Sequence, residues 1–282
     1  MEPGYDLRMV RKVILLIALL VAGWLVVSEI RAGNSPLGQD GNRLTPIQRE
    51  IELQRRRLSS GEVEERRDAL TRLGNLHRPD ASRAATAGLT DPIPIVRVAA
   101  AHAVLFLPPA EAVTLLIPLL QDKSEFVRRE AAYALGETHN RAAVEPLTNL
   151  LLVDKEAGVR GAAAVALGEI REESAVPALS QVFGPLSIQK KKKSNGEENE
   201  FVLRGAARSL GQIRSRAAVD VLIGALQNTT YAGDVRREAA IALGLIGDSA
   251  AVPALRAAFS SEDPYLSEAA RAALRRLRVP VN

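Results

Sequence analysis

The chain has no cysteine. Disulfides, cysteine zinc sites, thiol catalysis and lipid attachment at an N-terminal cysteine are therefore excluded, while the redox compartment stays open. Aromatic residues supply only 4% of the 282 positions although apolar residues supply 47%. An interior built from Ala, Leu and Val suits closely packed helices better than a barrel or sandwich, whose strands favour aromatic and β-branched side chains. Charge of neither sign dominates: the formal balance of +4 permits an anionic partner without requiring one. Histidine is scarce, with His77, His102 and His139 the full set. There is no Gly-rich phosphate loop, no GxSxG nucleophile turn and no HExxH metal motif. No catalytic residue, no metal site and no cofactor is expected.

What the chain does have is repetition. The phrase Val127-Arg-Arg-Glu-Ala-Ala-Tyr-Ala-Leu-Gly136 returns at Val159 to Gly168 and Val235 to Gly244, and more loosely at Val202 to Gly211. Such self-similarity marks a stacked array. Equivalent positions at Gly74, Leu105, Gly136 and Gly168 lie 31, 31 and 32 residues apart, Gly211 follows after 43 and Gly244 after 33, and a last copy falls near Leu274 or Arg275. The long interval places a disordered surface insertion at 184–200, between two helices of one repeat. It carries Lys190 to Lys193, but Glu197, Glu198 and Glu200 largely neutralise that run. A solvated loop is preferred there to a site for anionic lipid or an acidic partner.

The N-terminus reads differently. Val13 to Val27 is fifteen residues without a charge, behind a basic tail at 1–12 that holds Arg8, Arg11 and Lys12. As a helix it covers about 22 Å of a hydrocarbon core about 30 Å thick, so Val10 and Ser28 to Ile30 have to contribute. The expectation is a single-pass signal anchor at 13–30, with the N-terminus cytoplasmic and the repeats periplasmic or otherwise outside the cytoplasm. A cleaved secretory signal is the competing reading, but the spacing of Gly33 and Ser35 would make Pro36 the first mature residue. A buried soluble helix is the third. A flexible linker is expected at 31–44. Helical signals resume where Thr45, Pro46 and Gln48 form a capping-box start, so the first helix is predicted over Pro46 to Leu58.

From residue 45 to 278 two kinds of helix alternate, the second opening on Val-Arg and closing near Leu-Gly. Pro146, Asp154 and Arg160 stand in one unit; Asp91 with Arg97 and Asp122 with Arg128 repeat the interval of six. On these residues the units resemble HEAT repeats, in particular the short phycobilisome-lyase HEAT-like kind. There a proline bends the first helix, an aspartate sits in the turn and an arginine begins the second helix. The resemblance implies an all-α fold, a right-handed α-solenoid of about seven helical hairpins. It weakens where Pro177 precedes the insertion and where Asn228 replaces the acid expected before Arg236. Each acid is placed to cap or meet the dipole of the following helix, and each arginine to bridge to a neighbouring turn. The resulting ladder of exposed pairs is worth about 0 to 1 kcal/mol per rung. The paired alanines (131 and 132, 163 and 164, 206 and 207, 239 and 240) suit close helix contact.

Function is then expected at the positions the repeat leaves free, on second helices that line the concave side in HEAT-like folds. One row reads Thr71, His102, Tyr133, Val165, Arg208, Ile241 and, approximately, Arg271, and a second reads Arg67, Val98, Arg129, Gly161, Arg204 and Arg237. Of these, Arg67, His102, Arg129, Tyr133, Arg204, Arg208, Arg237 and Ile241 form a candidate groove with basic ends and a more apolar middle. It suits an extended or helical protein segment carrying acidic residues; solvated helix faces are the equal alternative. The function expected is a membrane-anchored, non-catalytic scaffold. Enzyme roles are the alternative, either bilin-lyase-like or resembling the HEAT-like iron hydroxylases that take their metal from His-Glu pairs. His77-Arg78, His102-Ala103 and His139-Asn140 do not supply such pairs. A nucleic-acid role on Arg67, Arg129, Arg204, Arg208 and Arg237 is disfavoured by the low aromatic content and modest charge.

Overall fold

The computed structural model describes residues 44–184 and 197–280. The chain divides into two units, residues 1–49 and 50–282; of the first, residues 44–49 are described, and they begin a helix at Pro46. Thr45 caps it as the sequence predicts, its Oγ1 accepting from the Gln48 N–H at 3.2 Å while Gln48 Oε1 accepts from the Thr45 N–H at 2.9 Å.

Among the described residues there are fourteen α-helices and no strand. They follow one another as seven pairs: α1 (Pro46–Arg57) and α2 (Val63–Asn75), α3 (Pro79–Ala85) and α4 (Pro94–Ala103), α5 (Pro109–Leu116) and α6 (Glu125–Glu137), α7 (Val144–Val153) and α8 (Ala157–Ile170), α9 (Val176–Gln181) and α10 (Glu197–Ile213), α11 (Val219–Gln227) and α12 (Gly233–Ile246), α13 (Val252–Phe259) and α14 (Pro264–Arg276). From α2 onward each even-numbered helix packs on the next even-numbered one, making a continuous second-helix layer. An all-α repeat solenoid is the result.

Two expectations, the membrane location and the far end of the insertion, change. No helix among the described residues is long and apolar enough to cross a membrane. The longest, α10, has 17 residues, and at 1.5 Å per residue that is about 26 Å against a hydrocarbon core of about 30 Å. The expected single-pass membrane location is therefore not upheld. The stretch 13–30 on which it rested, with the tail 1–12 and residues 31–43 of the linker, lies outside the described residues. The expected disordered insertion at 184–200 is too long at its far end, because α10 already begins at Glu197. Acidic residues are favoured in the first turn of a helix, so Glu-Glu-Asn-Glu reads better as a helix start than as loop. Residues 185–196 are outside the described residues.

Repeat geometry follows from two kinds of contact. The first is close approach at the glycine that ends the repeated phrase. A Cβ on Gly136 would stand 2.8 Å from Ala166 Cα, and one on Gly211 would stand 2.7 Å from Ala242 Cα. Neither distance is tolerable, so these glycines let one second helix lie directly on the backbone of the next. The alanine pairs are also fully buried, but the glycines make the closest approach. Leu105 occupies the same station in the second repeat, and there the helix stops at Ala103 and tightens into a 3-10 turn over Val104–Phe106. Pro146 does not bend its helix from within. It stands in the first turn of α7, where its missing N–H is not needed, just after a 3-10 turn at Arg141–Ala143.

The second contact is a ladder of ion pairs. Arg66 meets Asp91, Arg97 meets Asp122 and Arg128 meets Asp154, each with Nε to Oδ2 at 2.7 Å. Each arginine thus reaches the aspartate of the following repeat, 25 or 26 residues on, and pairs through both arms of its fork. A third arm turns back: Arg97 Nη1 donates to the Asp91 carbonyl at 2.7 Å and Arg128 Nη1 to the Asp122 carbonyl at 2.9 Å. Arg160 repeats this on the Asp154 carbonyl at 2.8 Å. The aspartates do not cap their helices directly, as the sequence suggested. Asp122 Oδ1 accepts from the Ser124 N–H and Asp154 Oδ1 from the Glu156 N–H, and those residues are the N-caps of α6 and α8. The turn ahead of the helix is what they hold. Nor are the rungs exposed. In the third, the Arg128 and Asp154 side chains retain 9% and 7% of their accessible surface, so the small value expected for solvated pairs does not apply.

Burial pushes each ladder carboxyl upward. Hydrogen bonds from the arginine and from the N–H two residues on, with the charges of two guanidinium groups, outweigh it and hold Asp91, Asp122 and Asp154 below the ordinary carboxylate range. A depressed folded-state value contributes stability that is complete above the unfolded value of about 4 and is lost as pH falls through the folded value. Thermal midpoints should accordingly be flat between about pH 7 and pH 5 and fall below about pH 4. A decline beginning near pH 6 in a calorimetric pH series would show that carboxylate pairing is not what holds the repeats.

Candidate protein-interaction face

The free positions of the second helices fall into three groups in space. Arg67, on α2, is exposed and pairs with Glu64 one turn away at 2.6 Å. Val98 does not join it, because it is 7% exposed and part of the core.

The second group surrounds Glu130 on α6. His102 Nε2 lies 3.5 Å and Arg129 Nε 3.2 Å from its carboxylate, and the Arg129 guanidinium stacks over the Phe126 ring at 5.3 Å. Tyr133, half-buried one turn on, has its phenol pushed upward in pKa, mainly by burial and against the charge of Arg129. Glu130 lies deeper than the side chains over it, at 20% exposure against 44% for His102 and 39% for Arg129.

The third group spans α10, α12 and α14. Arg204 and Arg237 share Asp234, the first at 3.4 Å. Arg208 meets Glu238 at 2.7 Å, and that hydrogen bond raises the Arg208 pKa further. Glu238 too is the covered partner, 14% exposed beneath an Arg208 that is 57% exposed. Arg237 lies over the Tyr265 ring at 5.2 Å. Arg204, Arg237 and Ile241 line one open cavity of about 560 Å³ with Asp234, Glu238, Tyr265, Glu268, Arg276 and a floor of Ala269, Ala272 and Ala273.

The eight predicted residues therefore do not form one groove of free basic ends and an apolar middle. Gly161 is buried, and the Phe201 ring fills the space where its side chain would stand. The arginines are paired with acids that the rows did not include: Glu64, Glu130, Asp234 and Glu238. Glu130 and Glu238 are the fourth letter of Val-Arg-Arg-Glu, so the repeat itself disguises them. Tyr265 was hidden because Pro-Tyr-Leu-Ser-Glu replaces the phrase in the last repeat.

Two of the three histidines, His77 and His139, have structural roles. His77 and His139 end their second helices in the left-handed region, with φ of 51° and 48°. The His77 ring packs on Phe106 at 4.4 Å between centroids, and His139 Nδ1 lies 2.9 Å from the Glu169 carbonyl of the following repeat. Among the described residues, no group of three or more His, Cys, Asp or Glu side chains is placed to hold a metal ion.

A family model described as HEAT repeats matches residues 53–136, 113–184 and 195–275. The chain belongs to the HEAT repeat family. This HEAT repeat chain is 37% identical over 101 residues to a deoxyhypusine hydroxylase of Gallus gallus, a match that takes in 35% of the chain and 33% of the relative. It thus spans about a third of the length of that curated relative. Among solved structures it is similar to the complex of CpcE and CpcF of phycocyanin lyase from Nostoc, at 24% identity over 86% of this chain and 91% of the other, with a TM-score of 0.48. Human deoxyhypusine hydroxylase is similar at 23% identity over 82% and 96% of the two chains, with a TM-score of 0.39.

Proposed function

We propose that this HEAT repeat chain is a non-catalytic scaffold that holds an extended or helical protein segment carrying acidic residues against its second-helix layer. The observation that carries the reading is the layering of charge. Glu130 and Glu238 lie beneath His102, Arg129 and Arg208, so basic groups are what an approaching chain meets first. Their long stems are already held by stacking and ion pairing, which lowers the entropy lost when a partner binds. Arg204, Tyr133 and Ile241 extend the same face, whereas at Arg67 and Arg237 the paired acids Glu64 and Asp234 are the more exposed partners. Charge arranged this way favours orientation and encounter rate over raw affinity.

The test is a photoreactive residue placed at Tyr133 or at Ile241, compared with one at the exposed Glu145 on a first helix. Crosslinks to a discrete protein from the first two positions and not from the third are the expected result. Adducts from Glu145 alone, or none, would overturn the proposal. The hydroxylase match favours a second reading, an enzyme or enzyme accessory of hydroxylase or bilin-lyase type. Stoichiometric iron or a covalently handled bilin in the purified protein would establish that reading instead.

A further inference from the structure

The described residues leave few large apolar side chains exposed, and their placement is uneven. Three consecutive second helices each present one: Phe201 on α10, Ile241 on α12 and Tyr265 on α14. The helices α2, α4, α6 and α8 present none. Ile241 is 39% and Tyr265 70% exposed, and both stand on the wall of the cavity over Ala269 and Ala272. An alanine floor between an aliphatic and an aromatic wall is apolar, and its volume of about 560 Å³ lies within the usual range for binding clefts. It admits one large apolar side chain with its adjoining peptide groups.

Charge around this cavity is unbalanced once each carboxylate is followed to its partners. Asp234 is shared by Arg204 and Arg237, Glu238 is taken by Arg208, and Glu268 by Arg271. Three arginines and three carboxylates line the cavity, but Arg208 and Arg271 take Glu238 and Glu268 from outside it, which leaves Arg204, Arg237 and Arg276 facing Asp234. Two guanidinium groups carry ten N–H donors between them, more than one carboxylate accepts. Arg204 has its Nε enclosed without an acceptor, so it meets an incoming group through its outer Nη arms, of which Nη1 already lies near Asp234. Arg237 is held over Tyr265 by its ring face, which fixes a fork beside the apolar wall. Planar forks of this kind match a carboxylate.

Resting on the scaffold reading, we infer that the cavity between α10, α12 and α14 seats a partner's peptide segment in which a large apolar side chain adjoins an acidic residue. The apolar group enters between Ile241 and Tyr265, and the carboxylate is taken by the Arg204 and Arg237 forks. Nucleic acid fits less well, because the lining offers one aromatic ring, Tyr265, and an alanine floor in place of the succession of rings on which bases stack.

Fluorescence polarisation on the full chain tests this with four labelled probes: Gly-Ser-flanked octapeptides centred on Phe-Glu, Phe-Lys or Gly-Glu, and a single-stranded oligoadenylate. The Phe-Glu peptide should bind at least about tenfold more tightly than the other three. Raising salt from about 0.05 M to about 0.5 M should weaken it. Arg237→Gln and Tyr265→Ala should each cost about tenfold in its affinity with the circular dichroism spectrum unchanged. Equal binding of the three peptides, indifference to both substitutions, or preference for the oligoadenylate would overturn the inference. Should the peptides fail while Tyr133 still crosslinks to a protein, this seat is wrong and the scaffold reading stands. Loss of both removes the scaffold reading as well.

Discussion

Replacing Asp154 by alanine is expected to lower the unfolding free energy by about 3 kcal/mol, with the loss confined to the repeats on either side of the rung. The pair it breaks is covered on both sides, and Arg128 would keep its charge without the carboxylate that accepts two of its N–H groups. Losing one partner of a covered ion pair costs more than the pair contributes when intact, because the remaining charge is stranded. Two outcomes separate this from a loss of packing. Urea unfolding of Asp154→Ala should become less cooperative, with a lower m-value, since neighbouring repeats are coupled through the rung. The double replacement Arg128→Met with Asp154→Leu should recover more than half of the loss. If the double variant is as unstable as the sum of the two singles, the rung is not acting as a pair.

Gly211→Leu should also cost about 3 kcal/mol, from overpacking and not from lost charge. Its Cβ would fall 2.7 Å from the Ala242 Cα, and a backbone atom cannot step aside as a side chain can. Relief requires α10 and α12 to separate, which opens the contacts between those two repeats. Gly224→Ala is the control. Gly224 lies in a helix as well, but nothing stands within 4 Å of its missing Cβ, so adding a methyl group there should raise stability by about 0.5 to 1 kcal/mol through helix propensity alone. Chemical denaturation of both variants decides the matter. A destabilised Gly224→Ala, or a neutral Gly211→Leu, would show that helix spacing is not set at these glycines.

How much of this could be read from the chain depends on the range of each interaction. Helix periodicity and the recurrence of Val-Arg-x-x-Ala-Ala-x-Ala-Leu-Gly are local, and from them the fold, the seven pairs and the Thr45 capping box were all visible. The interval of six from Asp122 to Arg128 is local too, but the ion pair is not. Its carboxylate belongs to the arginine of the preceding repeat, so spacing alone revealed the ladder without revealing that its rungs are buried. At the candidate face the difficulty was different. Choosing the variable positions separated Arg208 from Glu238 and Arg129 from Glu130, so a row of paired charges looked like a row of free ones. Leu105 illustrates a third limit. It keeps the 31-residue interval, so nothing in the spacing shows that α4 ends early, at Ala103.

The ladder also makes whole repeats interchangeable. Arg66 holds Asp91 as Arg97 holds Asp122 and Arg128 holds Asp154. Excising residues 92–122 would join Asp91 to Lys123, leave Arg128 six positions beyond an aspartate again, and bring Ala134 opposite Gly74 in place of Ala103. Every rung and every close approach would find a substitute of the same kind. Past α8 the ladder stops, because Leu203 occupies the arginine's slot in the fifth repeat and Arg236, in the sixth, turns back to the Leu226 carbonyl behind Asn228. Tandem gain or loss of repeats is therefore easy in the N-terminal half of the solenoid. In the C-terminal half, where the candidate seat lies, only the close approaches repeat, Gly211 on Ala242 and Gly244 on Ala273.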